Sequence, residues 1–211
     1  MARDNGVSMA VVRRLPKYYR YLSELLEHDV RRISSKELSR LTSFTASQIR
    51  QDLNNFGGFG QQGYGYNVED LYKEIGKILG LTRNYKTVII GAGNLGQALA
   101  NYASFNRYGF ELVGIFDKNP KIVGIEINGI EVTDIDHMKE FMGNNDIDIA
   151  YICTSRTGAQ EVADILVEAD IKAIWNFAPV DLKVEEDIRV ENVHLIDDLL
   201  TLSYFLKGKN E

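Results

Sequence analysis

The stretch from Thr87 to Asp117 constrains the fold of this chain more than any other. It opens with a short apolar run of mostly β-branched residues, which is typical of a buried strand. The hexapeptide Gly91-Ala92-Gly93-Asn94-Leu95-Gly96 follows at once and leads into apolar residues at helical spacing. A second apolar run ends in Asp117, 21 residues after Gly96. This order of strand, G-x-G-x-x-G, helix, strand and acid predicts a dinucleotide-binding unit.

The glycines and the acid each have a physical task in such a unit. Gly91 would allow the tight turn out of the strand, Gly93 would let backbone N–H groups approach a pyrophosphate, and Gly96 would let the helix pack closely on the sheet. Asp117 could accept hydrogen bonds from ribose hydroxyls, and its charge would repel a 2′-phosphate, which favours NAD over NADP. Lys118 is the neighbouring cation that works against this preference. The alternative is a glycine turn that binds no ligand.

Charge divides the chain into two unlike parts. Residues 1–80 carry 12 Lys and Arg against 9 Asp and Glu, a net charge of +3, whereas residues 81–211 carry 12 against 21, a net charge of −9. A mildly basic part joined to an acidic remainder indicates different partners for the two parts. A basic face can bind nucleic acid even in an acidic protein, because attraction to phosphate is local at ordinary salt.

The sequence also bears on the compartment. It contains no run approaching the ~18 apolar residues that suggest a membrane helix, and no signal-like apolar core near its start. Cys153 is the only cysteine, which excludes an internal disulfide and a CxxC metal site. We therefore expect a cytoplasmic protein in which Cys153 is a buried strand residue rather than a nucleophile.

The N-terminal part has a helical pattern. After an arm expected to be mobile at residues 1–15, an amphipathic helix is predicted at residues 17–28, and two short helices follow, the second capped by Thr45. Two short helices joined by a turn of a few residues predict a helix-turn-helix, whose second helix reads bases in the major groove. The first half of that helix carries Ser47, Gln48, Arg50 and Gln51. Arginine suits the O6/N7 edge of guanine, and glutamine suits the N6/N7 edge of adenine.

A glycine-rich segment follows the helix-turn-helix. Glycine and aromatic residues alternate around a polar Gln-Gln tip over residues 57–66, which predicts a β-hairpin. A hairpin at this place would be a wing that lies along the phosphates or in the minor groove. The alternative for residues 16–66 is a small helical cap that only packs on the rest of the chain. A further amphipathic helix and a polar link place the domain boundary near residues 80–85.

Strands alternate with helices through the second half of the chain. This alternation predicts a doubly wound, mostly parallel sheet with right-handed crossovers. Thr154 and Ser155 follow one strand, and Asn176-Phe177-Ala178-Pro179 ends the next, at the edge where such sheets bind ligands. The predicted fold class is therefore α/β, with an N-terminal winged helix-turn-helix domain and a C-terminal Rossmann-type domain.

The end of the chain is predicted to form a short strand at residues 193–196 and a helix at residues 197–206. That helix is apolar around much of its circumference. Because a helix of this kind needs a partner to cover it, the pattern predicts a subunit interface.

Several motifs in this order resemble the Rex family of redox-sensing transcriptional repressors, and the resemblance covers most of the chain. The family couples a winged helix to an NAD(H)-binding Rossmann domain. The motifs that carry the resemblance are RLPKYYRYL at 14–22, ISSKELSRLT at 33–42, QIRQDLNNFGGFG at 48–60, GYGYNV at 63–68, GAGNLGQAL at 91–99, FD at 116–117, AQ at 159–160, NFAPV at 176–180 and LSYFL at 202–206.

The resemblance implies a homodimer that represses genes of fermentation and anaerobic respiration. It would bind palindromic operators when NADH is low relative to NAD⁺ and leave them when NADH binds. The implied domains are a winged helix at residues 1–82, a Rossmann domain at residues 83–194 and a dimerisation helix at residues 195–211, swapped onto the partner subunit. Tyr102 would lie near the nicotinamide.

The motifs and the resemblance together give two sets of site residues, with no catalytic residue and no metal ligand. Contacts to NAD(H) are expected from Gly91, Ala92, Gly93, Asn94, Leu95, Gly96, Tyr102, Asp117, Lys118, Thr154, Ser155, Asn176, Phe177, Ala178 and Pro179. Contacts to double-stranded DNA are expected from Arg14, Lys17, Ser35, Ser47, Gln48, Arg50, Gln51, Gln62 and Tyr64.

The sequence departs from the family pattern at three places. Gln51 stands where the family usually has lysine, which removes a phosphate-attracting charge and adds an amide compatible with adenine. Ser155-Arg156 stands where the family usually has Val-Pro, and His194 stands where it usually has an acid that helps to sense the charge of the nicotinamide.

Two other classes of protein share the glycine motif. A nicotinamide-dependent dehydrogenase would need a proton donor or acceptor beside its substrate, and His28, His137 and His194 are poor candidates for that role. A module that binds coenzyme A or a nucleotide without binding DNA would explain the glycine loop, but not the wing or the basic N-terminal part.

Overall fold

The computed structural model describes residues 7–57, 60–61 and 64–207. The chain divides between Arg83 and Asn84 into two compact units. Among the described residues, no helix is both long enough and apolar enough to cross a membrane.

The first unit has the winged helix-turn-helix fold that the sequence predicts. Its elements are Met9–Val12 (α1), Leu15–Glu27 (α2), Arg32–Ile33 (β1), Ser35–Thr42 (α3), Ala46–Asn54 (α4), Gly60–Gln61 (β2), Gly65–Asn67 (β3) and Val68–Ile78 (α5). The three strands form an antiparallel sheet in the order β1-β3-β2. Helices α3 and α4 are the helix-turn-helix, and the hairpin of β2 and β3 is the wing.

Local hydrogen bonds define where α3 and α4 begin. The Ser34 hydroxyl accepts the backbone N–H of Glu37 at 3.2 Å, and the Glu37 carboxylate accepts the backbone N–H of Ser34 at 2.8 Å, which completes a capping box. The Thr45 hydroxyl accepts the backbone N–H of Gln48 at 3.2 Å. Between the helices, Ser43 adopts a left-handed conformation with a φ of 64°. The turn therefore stays short, and the two helices lie close together.

One apolar core holds this unit together. Helices α2 to α5 and the small sheet each contribute side chains that are almost completely buried. The largest of them are Leu15, Tyr18, Leu22, Leu38, Ile49, Leu53, Leu71 and Ile75. Burial of this much apolar surface stabilises the arrangement of short helices, which would be marginal in isolation.

The prediction of a mobile arm over residues 1–15 is wrong for the described part of that segment. Residues 9–12 form helix α1, and the side chains of Val11 and Leu15 are buried. The Ser8 hydroxyl caps this helix by accepting the backbone N–H of Ala10 at 3.3 Å. A four-residue helix is too short for periodicity to reveal it, and it is held here by its contacts with the core.

The second unit contains seven strands and five α-helices among its described residues. They are Tyr85–Ile90 (β4), Asn94–Ala100 (α6), Ser104–Arg107 (α7), Phe110–Asp117 (β5), Glu126–Ile127 (β6), Ile130–Asp134 (β7), Met138–Asn144 (α8), Ile149–Ile152 (β8), Ala159–Glu168 (α9), Ala173–Asn176 (β9), Arg189–Asn192 (β10) and Leu195–Lys207 (α10). A 3₁₀ helix, Ile135–His137, leads into α8.

The sheet has the order β10-β9-β8-β4-β5-β7-β6, and every neighbouring pair is parallel except β6 with β7. From β4 the chain builds one side of the sheet through β5 and β7, and it then returns to build the other side through β8, β9 and β10. This is the doubly wound arrangement predicted from the sequence, with its switch point between β4 and β8. Apolar side chains cover both faces, with Val88 and Ile90 on one and Ile89 on the other.

A tight turn at Asn128-Gly129 forms a hairpin. It joins β6 to β7, and both residues have positive φ, 52° at Asn128 and 79° at Gly129. Two consecutive residues with positive φ are what a tight two-residue hairpin requires, which is why Asn-Gly favours it.

The predicted strand at residues 193–196 is wrong. The last strand, β10, lies at residues 189–192, and helix α10 begins at Leu195. Strand β10 is an edge strand that pairs with β9 alone, and only Val190 in it is apolar. The hydrophobic pattern of a buried strand is therefore absent where the strand lies. The backbone N–H of Val193 donates to the carbonyl of Asn176 at 2.8 Å before the chain turns into α10.

Candidate functional site

The glycine loop lies at the switch point of the sheet, after β4. Gly91 has a φ of 100°, and a Cβ atom at this position would lie 2.8 Å from the carbonyl carbon and oxygen of Cys153. No side chain fits there, because the loop after β4 passes directly against the loop after β8. The predicted role of Gly91 in the tight turn therefore has a physical basis in the fold.

Gly96 and Gly93 have opposite surroundings. A Cβ atom at Gly96, in the first turn of α6, would lie 2.0 Å from the carbonyl oxygen of Gly91, so close packing requires glycine. Among the described residues, no atom lies within 4 Å of a Cβ atom built at Gly93. Glycine at position 93 therefore keeps open a space that the described part of the chain leaves unfilled. A group bound from solvent could approach the backbone there.

Asp117, at the end of β5, holds the loop in place. One carboxylate oxygen accepts the backbone N–H of Ala92 at 2.7 Å, and the other accepts the backbone N–H of Asn119 at 2.8 Å. The side chain of Gln97 donates to the carbonyl of Ala92 at 2.8 Å. The N–H of Ala92 therefore serves the loop itself. Each carboxylate oxygen of Asp117 retains capacity for a ribose hydroxyl.

A cavity of about 760 Å³ opens beside this loop. Six of the residues predicted to contact a dinucleotide line it: Gly91, Gly93, Asp117, Lys118, Thr154 and Ser155. The loop residues Ala92, Asn94, Leu95 and Gly96 lie next to it along the chain without lining it. The volume falls within the range of ordinary small-molecule sites.

The sequence did not reveal the opposite wall of the cavity. The 3₁₀ helix, α8 and α9 contribute side chains that no local motif marks, because they meet only in the folded chain. These residues are Ile135, Asp136, Lys139, Glu161, Val162, Ile165 and Glu168, and Cys153 and Gly158 lie beside them. Their helical spacing indicates that each helix has an inward face, but not that the face borders a cavity.

The cavity is acidic. Its lining includes four carboxylates, from Asp117, Asp136, Glu161 and Glu168, and two ammonium groups, from Lys118 and Lys139. Lys139 donates to Glu168 at 2.8 Å, so its charge is already paired, and this pairing lowers the pKa of the Glu168 carboxyl. A ligand with an additional phosphate near Asp117 would meet net repulsion.

Cys153 is chemically quiet. Its thiol is largely buried at the end of β8, and burial raises its pKa to about 12. A thiolate is the reactive form of cysteine, and this one stays protonated at neutral pH. The prediction that Cys153 packs rather than reacts agrees with this environment.

Besides the four loop residues, five more of the predicted ligand residues lie outside the cavity lining. Asn176 is fully buried, and its side-chain amide donates to Val180 and Asn192, while its side-chain oxygen accepts the N–H of Ala178. This amide therefore holds the turn after β9, and contacts from Asn176, Phe177, Ala178 and Pro179 to a ligand stay predictions. Tyr102, 56% exposed, is also outside the lining.

An aromatic cluster connects Tyr102 with Phe177. The ring of Tyr102 lies 4.8 Å from Phe105, Phe105 lies 5.8 Å from Trp175, and Trp175 lies 4.5 Å from Phe177. Tyr151 packs against both Phe105 and Trp175. Two residues that the sequence separates by 75 positions therefore belong to one apolar surface of the sheet.

In the first unit, helix α4 has one buried face and one exposed face. Ile49, Asp52 and Leu53 are buried. The exposed residues recur at helical spacing along the other face: Ser47, Arg50, Gln51 and Asn54. Gln48 is half-buried. The polar side chains predicted to reach bases are therefore mostly on the accessible face of the second helix of the helix-turn-helix.

Other contacts in the first unit involve residues that are predicted to bind DNA. Arg50 donates to the hydroxyl of Ser35 at 3.0 Å, so the two residues lie together at the start of α3 and on α4. In the wing, Tyr64 is 70% exposed, and its carbonyl accepts from Arg32 at 3.3 Å. Lys17 lies with its ammonium group 5.1 Å from the centre of the Phe44 ring. Gln62 lies outside the described residues.

Arg14, which is predicted to contact DNA, is paired within the first unit. Its side chain is only 18% exposed, and it forms an ion pair with Asp52 at 2.7 Å. The two residues are 38 positions apart, so no local pattern could reveal the pair.

At the end of the second unit, His194 lies 3.1 Å from the carboxylate of Asp181.

Comparisons with known proteins agree with both units. A family model described as a CoA binding domain matches residues 82–180, and one described as a putative DNA-binding protein N-terminus matches residues 6–54. A redox-sensing transcriptional repressor Rex from Clostridium perfringens is 65% identical over 206 residues, which cover 98% of this chain and 97% of the relative. One from Clostridioides difficile is 60% identical and covers 98% and 99%.

The chain belongs to the Rex family of transcriptional repressors. A crystal structure of RSP in complex with β-NAD⁺ and operator DNA matches with a TM-score of 0.91 and 61% identity, covering 97% of this chain and 94% of that one. RSP in complex with β-NADH matches with a TM-score of 0.89 and 58% identity, covering 97% and 96%. Membership in the Rex family removes the dehydrogenase alternative, because these relatives are named as repressors.

Proposed function

We propose that this protein is a transcriptional repressor that binds operator DNA when NADH is scarce and leaves it when NADH binds. The observation that carries the proposal is one chain that combines an exposed α4 face with a cavity at the glycine loop. Rex relatives match this chain over both units, and RSP forms complexes with operator DNA, with NAD⁺ and with NADH. Because the DNA of a bacterial cell is in its cytoplasm, we place the protein there.

The DNA contacts come from the exposed face of α4 and from the wing. Arg50 and Gln51 would reach base edges in the major groove, Ser47 would contact a phosphate or a base, and Tyr64 would serve the wing. Ser35 orients Arg50 through the hydrogen bond at 3.0 Å. The direct contacts of Lys17 and Gln48 are part of the same proposal, because both lie close to this surface.

The ligand contacts come from the loop and the cavity. The space beside Gly93 is suited to a pyrophosphate, since a Cβ atom there would fill it, and Asp117 is placed to accept the hydroxyls of a ribose. The cavity lining has more carboxylates than ammonium groups, and this negative charge around Asp117 disfavours a 2′-phosphate. The site therefore fits NADH and NAD⁺ better than their phosphorylated forms.

Discrimination between NADH and NAD⁺ requires that the reduced and the oxidised nicotinamide rings bind with different free energies. The ring of NAD⁺ is cationic, and a cation is costly in an apolar site with little water. We assign the nicotinamide to the side of Tyr102 and Phe177, where the aromatic cluster supplies such surroundings. Release of DNA then needs a ligand that prefers the unbound form by a few kcal/mol.

A homodimer would explain the exposed apolar side chains of helix α10. Eight of its large apolar side chains are between 56% and 74% exposed, from Leu195 to Leu206. A second copy that covers them, in the swapped arrangement that the family resemblance implies, would also place two α4 helices on one DNA. Two helix-turn-helix motifs must lie about 34–36 Å apart, or a multiple of that, to occupy two half-sites. A change in that spacing would release both half-sites together.

The test is a competition experiment on DNA selected by the protein itself. A random duplex library is enriched on the purified protein in excess NAD⁺, and the winning sequence is labelled for fluorescence anisotropy. NADH is then titrated at constant NAD⁺. We expect the enriched sequence to be palindromic. We expect micromolar NADH, but not added NAD⁺, to release this DNA from the protein. NADPH at the same concentrations is the matched control and should release little DNA.

Two outcomes would contradict the proposal. If no sequence is enriched, the protein does not bind operators. If a sequence is enriched but neither dinucleotide changes its affinity, the second unit senses something else.

A further inference from the structure

A buried carboxylate joins α2 to α4 in the first unit. Asp52 is 2% exposed. The Nε and Nη2 atoms of Arg14 donate to its two oxygens at 2.7 Å each, and the hydroxyl of Tyr18 donates to it at 2.7 Å. A bidentate pair of this kind fixes the relative orientation of its two partners, beyond the attraction of their charges.

The same residues also hold the turn before α4. The guanidinium carbon of Arg14 lies 5.9 Å from the centre of the Phe44 ring, and the ring of Tyr18 meets Phe44 edge-on at 5.6 Å. Hydrogen bonding to Asp52 raises the pKa of Arg14, and burial, followed by the hydrogen bond to Asp52, raises the pKa of Tyr18. The three groups therefore form one structural unit with Phe44.

Asp52 faces away from the surface that would meet DNA. It shares the buried face of α4 with Ile49 and Leu53, whereas Arg50 and Gln51 are exposed. Apolar contacts such as those of Ile49 and Leu53 are non-directional. The hydrogen bonds of Asp52 are directional, so they set how far α4 is rotated about its own axis.

We propose that Arg14 and Tyr18 are positioning residues that act through Asp52 to set the rotation of α4, and thereby its choice of DNA sequence, without contacting DNA. This replaces the direct contact predicted for Arg14, and it rests on the DNA-binding function proposed above. A small rotation of α4 would move Arg50 and Gln51 away from their base edges. Attraction to phosphates would persist, because it depends on charge rather than on rotation.

The experiment measures two quantities on the variants Arg14→Gln, Asp52→Asn and Tyr18→Phe and on the double variant of Arg14 and Asp52. The first is the ratio of affinities for the selected duplex and a scrambled duplex. The second is the slope of log affinity against log salt. We expect each ion-pair variant to lower the ratio about tenfold, and the double variant to lose about as much as one single change, because the two residues act as a unit.

The salt slope separates positioning from direct contact. A lysine or arginine that neutralises a phosphate contributes about 0.9 to the slope. Arg14→Gln should leave the slope unchanged, whereas a slope lower by about 0.9 with an unchanged affinity ratio would show a phosphate contact. Lys17→Gln, a change in a half-buried cation one turn further along α2, is the matched variant for the size of that effect.

Folding of the variants is checked by circular dichroism, and NADH binding shows that the second unit is intact. In a variant that is folded, an equal loss of affinity for both duplexes would leave the ratio intact and would contradict positioning. Tyr18→Phe removes one hydroxyl and keeps the ion pair, so it remains informative if Asp52→Asn does not fold. We expect Tyr18→Phe to lower the affinity ratio about threefold. An unchanged ratio in Tyr18→Phe and Arg14→Gln would overturn the proposal. If the wild-type protein enriches no duplex, the proposed function fails instead.

Discussion

The carboxylate of Asp117 accepts the backbone N–H of Ala92 at 2.7 Å, which joins the end of β5 to the glycine loop after β4. The loop and the acid are 25 positions apart and lie at the ends of neighbouring parallel strands. We propose a second task for Asp117, because the oxygens that anchor the loop retain capacity to accept ribose hydroxyls.

Asp117→Asn should weaken NADH binding about tenfold, equivalent to about 1.4 kcal/mol, because the amide nitrogen cannot accept a hydrogen bond and the charge is lost. Binding of NADPH should fall less, since repulsion of its 2′-phosphate is relieved. The measurement is a fluorescence titration with each dinucleotide. Asp134→Asn is the matched control: Asp134 pairs with Asp117 in register on β7, but it does not line the cavity. Equal losses in both variants would show that the effect is not specific to the site.

Gly93 and Gly96 should respond to alanine in opposite ways. Gly96→Ala places a methyl group 2.0 Å from a carbonyl oxygen and should destabilise the second unit by about 3 kcal/mol or more. Gly93→Ala meets nothing within 4 Å, so its free energy of unfolding should change by less than about 0.5 kcal/mol, yet NADH binding should be lost. Denaturant unfolding and a binding titration measure the two effects.

Gly143→Ala serves as the control for this pair, because its Cβ atom also meets nothing within 4 Å and it lies in α8, away from the cavity lining. Its NADH affinity should equal that of the wild type. Normal NADH binding by Gly93→Ala would show that no phosphate approaches the backbone at that glycine.

Arg50→Ala should lower affinity for the selected duplex by about 1–3 kcal/mol and relax the choice of base at one position of each half-site. The guanidinium is exposed and is oriented by Ser35, so Ser35→Ala should have a smaller effect in the same direction. Arg189→Ala, an exposed arginine on β10 in the other unit, should change neither quantity. Loss of NADH binding together with DNA binding in Arg50→Ala would instead indicate misfolding.

Elements with a local signal were predictable from the sequence, and the others were not. The Thr45 cap of α4 and the glycine loop each depend on residues within a few positions, and the sequence predicts both. The wall of the cavity on α8 and α9 and the partner of Arg14 depend on contacts between distant segments. A polar edge strand such as β10 lacks the apolar pattern on which strand prediction depends.

Helix α10 should be required for self-association. Leu199→Glu puts a charge in the middle of its apolar surface, where burial of one leucine is worth about 1.5–3 kcal/mol, and should raise the dissociation constant of the dimer at least about tenfold. Sedimentation equilibrium measures the change. Ile125→Glu is the control, because Ile125 is a 50% exposed apolar residue outside α10. A wild-type protein that is monomeric at micromolar concentration would contradict the proposed dimer.

Cys153 should resist alkylation in the folded protein. Burial raises the pKa of its thiol to about 12, so at pH 8 the reactive thiolate is scarce, and iodoacetamide should label the native protein far more slowly than the urea-unfolded protein.

The raised pKa of Cys153 also affects stability. An unfolded thiol with the ordinary pKa of 9.0 loses its proton while the folded one keeps it, so this group destabilises the fold as pH rises above 9.0. Mass spectrometry measures the labelling, and denaturant unfolding at pH 7 and pH 10 measures the stability. Cys153→Ala isolates the thiol from the buried tyrosines, because it should lose less stability between these pH values than the wild type does. Rapid labelling of the native protein at pH 8 would show that the loop after β8 opens readily.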